Sequence, residues 1–207
     1  MSDGVIIVRS YSSFDDEFPE VTIGPRTGSA KRTQSDTERW VCRLAMKACL
    51  ESGVICAPFR IRSIPNTPIC RTPDFELCQS SGISFVEITE ATDPADQREF
   101  TLSERAGEAC FSGDHGGRGS GGFAGDMPER LVAQDVLSAI EKKRAHYDEW
   151  TRARTLLAIY PNSSPAPALT RERLTAVMPN SLLSEHGFMG VIVVTPKWSI
   201  IHHVSQR

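Results

Sequence analysis

The sequence predicts an α/β fold: a mixed central sheet flanked by two main helices. Three observations lead there. Apolar, β-branched runs at residues 5–8, 83–89 and 191–194 have strand length and are set off by turn residues. Two longer stretches, 36–51 and 126–152, repeat their apolar residues at helical spacing. The elements follow one another as strand, helix, hairpin, helix, strand and hairpin, an order typical of layered α/β and α+β chains.

Length and composition bound the rest. The chain has 207 residues, 40% hydrophobic and 24% charged, which suits a single soluble domain and excludes disorder, a coiled coil or a collagen-like repeat. Its apolar runs fall far short of the ~20 residues a membrane span requires. The run at 5–8, between Asp3 and Arg9, is too short for a signal peptide. A cytoplasmic protein with no membrane partner is the expectation. With 23 basic against 26 acidic residues the net charge is −3, so any nucleic-acid contact must come from local basic stretches. Six cysteines (42, 49, 56, 70, 78 and 110) show neither a CxxC pair nor zinc spacing, and are expected as buried or idle thiols.

The elements follow in order. Residues 5–8 form a strand; 12–33, with Pro19, Gly24, Pro25 and Gly28, form an irregular segment with one small strand at 21–23. Ser35 or Asp36 caps a helix that runs to Glu51 and stops at Gly53. A strand at 59–64 is bounded by Pro58 and Pro65. Residues 69–77 and 83–89 make a hairpin around Gln79-Ser80-Ser81-Gly82. Seven glycines within 113–125 predict a mobile loop, after which Asp126 caps a helix reaching about Arg152. A strand at 155–160, a linker at 162–169, a helix at 170–177 and a hairpin at 188–195 and 199–204 complete the chain. We expect one domain over 1–207, with a core at about 36–160 and a peripheral helix and hairpin at 161–207.

Three residues break the amphipathic pattern. On the first long helix Val41, Cys42, Leu44, Ala45, Ala48 and Cys49 share one face, with Arg39, Arg43, Lys47 and Glu51 opposite. Glu38 falls on the apolar face. It is either a first-turn acid stabilised by the helix dipole or a carboxylate aimed into a site. On the hairpin, Glu87 shares a face with Ile83 and Phe85 while Val86 and Ile88 cover the other. A strand apolar on both sides is central and buried, so Glu87 must be paired, protonated or bound to a metal. Asp74, at the end of the partner strand, comes within ångströms of it; clustered carboxylates of this kind repel one another until a hard divalent cation relieves them. On the second long helix Val132, Val136, Ala139, Ile140, Tyr147 and Trp150 make the apolar face, and Lys143 interrupts it. It either snorkels to water or stands beside the acids. Lys142 lies toward the edge and Arg144 on the far side.

Pro73-Asp74, followed after a strand and turn by Glu87-Ile88-Thr89, resembles the signature of the PD-(D/E)XK nuclease superfamily. The resemblance takes in the preceding helix with Glu38 and the following helix and strand, through Lys143 to residues 156–160. It implies a restriction-endonuclease-like α-β-β-β-α-β core. It further implies Mg²⁺ (or Mn²⁺) held by Glu38, Asp74 and Glu87, and phosphodiester hydrolysis with nucleic acid as partner, DNA before RNA; it leaves room for a homodimer. Thr89 stands where the family pattern has lysine, and divergent members carry that lysine on the next helix, where Lys143 lies. Asp74, Glu87, Lys143 and Thr89 are therefore the implied catalytic set.

The rival function is a non-catalytic binding or assembly module on the same fold, with Thr89 marking a lost lysine. A compact domain whose acids only pair with arginines is a third reading. Arg39, Lys142 and Arg144 are the nucleic-acid contacts named for the nuclease, and Arg26, Lys31, Arg32, Arg152 and Arg154 are further basic candidates. The glycine-rich run lacks a P-loop ending, and His202-His203, adjacent in a strand, point to opposite faces.

Overall fold

The structure, a computed structural model, describes residues 5–20, 34–65, 72–92, 127–162, 169–178 and 186–203. Within them β1 (Ile6–Val8), β2 (Phe59–Ser63), β3 (Phe75–Gln79), β4 (Gly82–Ala91), β5 (Thr155–Pro161), β6 (Gly190–Val194) and β7 (Ser199–His203) form one sheet, side by side in chain order. The helices are α1 (Phe14–Glu17), α2 (Gln34–Glu51), α3 (Met127–Arg144), α4 (Glu149–Arg152) and α5 (Arg171–Val177). The protein is α/β with a mixed sheet.

The pairing divides the sheet. β1 to β4 form an antiparallel meander, whereas β4, β5 and β6 are parallel and β7 returns antiparallel. Parallel neighbours need crossover connections, and here these contain α3 and α5. One face packs α2 and α1 against Phe59, Leu77, Val86, Leu156 and Ile192. The other packs α3 and α5 against Leu157, Ile159, Val191 and Val193. Covered on both sides, β6 is buried at all five positions. β2, covered on one side, alternates Phe59 and Ile61 inward with Arg60 and Arg62 outward. The hairpin of β6 and β7 continues the sheet directly from β5.

Three elements depart from the sequence reading. β3, expected over 69–77, spans Phe75–Gln79, so Gln79 pairs with Gly82 and the turn shortens to Ser80-Ser81. The helix expected to run to about Arg152 ends at Arg144 and restarts as α4, whose first turn is capped by Asp148 accepting from the Thr151 N–H at 2.7 Å. A local cap outcompetes the next helical hydrogen bonds, so the helix breaks. Trp150, expected on the apolar face, is consequently 63% exposed. In the segment expected to be irregular, Phe14 and Phe18 lie one helical turn apart and pack at 5.7 Å, which forms α1. The expected strand at 21–23 and the glycine-rich loop lie outside the described residues.

Among the described residues no helix is long and apolar enough to cross a membrane. Cys42 and Cys49 are buried free thiols; Cys56 is exposed and Cys78 half-buried.

Candidate functional site

The site grows out of a mismatch in strand length. β4 runs to Ala91, but its partner β3 begins at Phe75, opposite Val86. One step further along the same register, Asp74 stands opposite Glu87. Beyond that step Ile88 has no β3 residue to receive its amide, and Asp74 supplies the acceptor: Ile88 N–H donates to Asp74 Oδ2 at 2.7 Å. The Asp74 carbonyl accepts from Ile64 N–H at 2.8 Å, so backbone and side chain are both fixed.

Glu87 is 2% exposed. Its neighbour across the parallel pair is Leu157, in the face that α3 covers. A carboxylate so placed requires partners. Lys143 Nζ donates to Oε1, and Tyr147 Oη donates to Oε2 at 2.8 Å. Lys143 lies in the last turn of α3, where the helix dipole favours a cation. Its side chain is 20% exposed, so one edge of the pair reaches the surface.

Glu38, half-buried on α2, completes the group. Burial, then the charges of Glu87 and Glu38, push the Asp74 carboxyl up to about 8; the Ile88 amide and the Lys143 charge oppose the rise. Those influences put Glu38, Asp74, Glu87 and Lys143 within one electrostatic neighbourhood. Cys42, one turn after Glu38, adjoins it too: burial first and the Asp74 charge second raise its thiol well above the usual range. Of the acids, Glu87 lies on β4, the fourth of the seven described strands, Asp74 immediately precedes β3, and Glu38 lies on α2.

Other expected residues sit elsewhere. Thr89, two residues beyond Glu87 on β4, is half-buried. Arg39, Lys142 and Arg144 are exposed, the last paired with Glu141 at 3.5 Å. Arg152 and Arg154 have structural partners: Arg152 Nη1 donates to the Tyr147 carbonyl at 2.6 Å, while Arg154 donates to the Ile83 carbonyl at 2.9 Å and stacks on Trp150. Arg26, Lys31 and Arg32 lie outside the described residues. Arg43, expected on the solvent face, is 9% exposed, because α1 folds over it. It donates to the Phe18 carbonyl at 2.7 Å and to Asp15 at 2.5 Å, and lies 5.6 Å from the Phe14 ring centre.

The sequence reading missed Tyr147 as a polar group. The available signal was its phenol, which needs a partner wherever the ring is buried.

Two concavities lie apart from these acids. One, of about 460 Å³, lies between the β3–β4 turn and Arg154; the other, of about 620 Å³, lies between α2 and the β6–β7 turn. Neither is lined by Glu38, Asp74 or Glu87.

In chemistry the donors suit a hard divalent cation, since they are carboxylate oxygens whose mutual repulsion such an ion relieves. Among the described residues, however, no three His, Cys, Asp or Glu side chains are already grouped as ligands. Glu87 has both oxygens engaged and would have to release one of them. No protein-family model, curated protein or solved structure matches the chain.

Proposed function

We propose that the protein is a metal-dependent nuclease, a divergent relative of the PD-(D/E)XK enzymes, hydrolysing phosphodiester bonds of nucleic acid. One observation carries the reading: Asp74, held at 2.7 Å by the Ile88 amide, stands beside the buried Glu87, and burial with the charges of Glu87 and Glu38 raises its carboxyl, a charge problem that a divalent cation removes. Its setting adds support. α2, the β2–β3–β4 meander, α3 and the parallel β5 follow the α-β-β-β-α-β order, with the acids on α2, before β3 and within β4.

In this reading Asp74 and Glu87 hold Mg²⁺ or Mn²⁺, with Glu38 as a further ligand. When bound, the ion lowers the pKa of a water and neutralises charge on the phosphate. The protein's own groups do the rest. Asp74 stays oriented by the Ile88 amide, and Glu87 stays oriented by Tyr147. Lys143, once released from Glu87, offers its ammonium to a phosphate oxygen or to the attacking water. Thr89 orients water but supplies no charge. Arg39, Lys142 and Arg144 meet phosphates along the strand.

A second reading has its own support: Lys143 and Tyr147 already satisfy both oxygens of Glu87, which fits a non-catalytic module in which the acid is purely structural. Incubation of the full chain with supercoiled DNA, single-stranded DNA and RNA in Mg²⁺, Mn²⁺ or EDTA separates the two. The nuclease gives cleavage that depends on the metal and vanishes in Asp74→Asn; the module leaves every substrate intact.

A further inference from the structure

We infer that Tyr147 is a positioning residue for Glu87, and that Arg152 holds it in place through the backbone. The inference rests on the metal-dependent reading and adds two residues to it.

The break between α3 and α4 is the starting point. Residues 145–148 leave the helix, and the turn carries the Tyr147 ring to β4. Its hydroxyl lies 2.8 Å from Glu87 Oε2 and 3.3 Å from the Thr72 carbonyl. A phenol has one proton to give, and the shorter contact to a charged acceptor takes it. Glu87 is therefore gripped at Oε2 by a rigid ring and at Oε1 by an ammonium on a flexible four-carbon stem. The two grips are unequal. The lysine can swing away while the ring stays, so Oε1 is the oxygen open to exchange and Tyr147 keeps the carboxylate plane fixed.

Arg152 supports the turn itself. Its Nη1 donates to the carbonyl of Arg144, the last residue of α3, at 3.2 Å and to the carbonyl of Tyr147 at 2.6 Å. Those carbonyls flank the break, so one guanidinium bridges it. Its own carbonyl accepts from Met189 N–H at 3.0 Å, which ties the clamp to the chain entering β6. Gly187, at φ +74°, adjoins the same guanidinium: a Cβ there would lie 3.4 Å from Arg152 Nε. The relay runs from Arg152 through the turn to Tyr147 and Glu87, and each link is a hydrogen bond or a peptide.

Groups that orient a metal-ligating carboxylate change metal affinity without touching the metal, typically by about 10–100-fold. Titration calorimetry of the full chain with MnCl₂ alone tests this on the unaltered protein, Tyr147→Phe, Arg152→Gln and Lys142→Met. The expected result is Mn²⁺ binding weakened about 10–100-fold in Tyr147→Phe, a change in the same direction in Arg152→Gln, and none in Lys142→Met. A tyrosine with only a structural role would lower Tm and leave Mn²⁺ affinity, measured well below that Tm, unchanged. Equal affinity in Tyr147→Phe and the unaltered chain overturns the inference and leaves the nuclease reading standing. No Mn²⁺ binding by the unaltered chain overturns both. If Tyr147→Phe does not fold, Arg152→Gln decides: affinity equal to that of the unaltered chain overturns the relay.

Discussion

Two charge clusters among the described residues are built on opposite principles. On α1, Asp15 faces two cations of α2, Arg43 and Lys47, at 2.5 and 3.0 Å. The hydrogen bond from Lys47, with the charges of Lys47 and Arg43 behind it, holds the Asp15 carboxyl below its usual range. Between β3, β4 and α3 the ratio is reversed: Glu38, Asp74 and Glu87 share the neighbourhood of Lys143, and Asp74 rises to about 8. The first cluster is satisfied by its own side chains. The second costs stability as it stands, and a group kept at such a cost is a candidate for function. The sign of the shift, rather than the presence of a salt bridge, distinguishes a cluster that fastens a helix from one that is a candidate for function.

The largest combined loss, of cleavage and of stability together, is expected from breaking the second cluster at its cation. Lys143→Met should reduce metal-dependent cleavage by about 10²–10³-fold, the scale on which charge stabilisation in a transition state is lost. It also strips Glu87, 2% exposed, of a charged partner, so a lowered Tm should accompany the loss. Lys142→Met, on the exposed side of the same turn, should leave Tm nearly unchanged and at most weaken substrate binding, with cleavage at saturating substrate retained. Cleavage assays and thermal melts of the two variants check this, and equal cleavage by both would remove Lys143 from the mechanism.

Next comes Asp74→Asn, which should abolish cleavage yet stabilise the protein at pH 8. The sign follows from linkage. The unfolded chain releases the Asp74 proton near 3.8, while the folded chain retains it up to about 8. Between those values the native state binds more protons, so stability falls as pH rises from about 4 to 8 and is level above. Asparagine still accepts from the Ile88 amide and carries no charge. The gain at pH 8 should be several degrees in Tm, at about 2–4 °C per kcal/mol for a chain of this size, and should vanish near pH 4. Urea unfolding at pH 4, 6 and 8 measures it; a variant less stable at pH 8 would mean that the repulsion is not real.

The first cluster should respond in the ordinary direction. Arg43→Met leaves the Phe18 carbonyl without its donor and should cost roughly 1–3 kcal/mol of stability, with no change in cleavage. Denaturant titration alongside the cleavage assay is the check. The smallest effect belongs to Lys47→Met: its partner Asp15 is well exposed and keeps Arg43, so the melt should move by about a degree at most.

How much of this was legible beforehand depends on how far each feature reaches along the chain. α2, β2, β4, β5 and the final hairpin fall where the apolar periodicity sets them, because that pattern reflects local geometry. Glu38, Glu87 and Lys143 stood out for the same reason: each breaks a periodic apolar face, and a broken face is visible in one element alone. Tyr147 was not visible that way. An aromatic ring fits an apolar face, and only the turn at 145–148 reveals what its hydroxyl is for. Arg43 read as solvent-facing because what buries it is α1, some 25 residues earlier in the chain.

The sequence by itself determined an α/β chain with a mixed sheet and a buried central strand, and three charged residues set against apolar faces. Periodicity of 2 or 3.6 residues is a property of short stretches, independent of what they pack against. Tertiary structure alone decided that β3 stops short of β4, so that Asp74 takes the Ile88 amide opposite Glu87. It also decided that α3 ends early enough for Tyr147 to turn onto the same carboxylate, and that Arg152 bridges the break. Those contacts join residues between 5 and 60 positions apart. The longer of them depend on which element lies beside which, and on where a strand or helix ends, which local pattern does not encode.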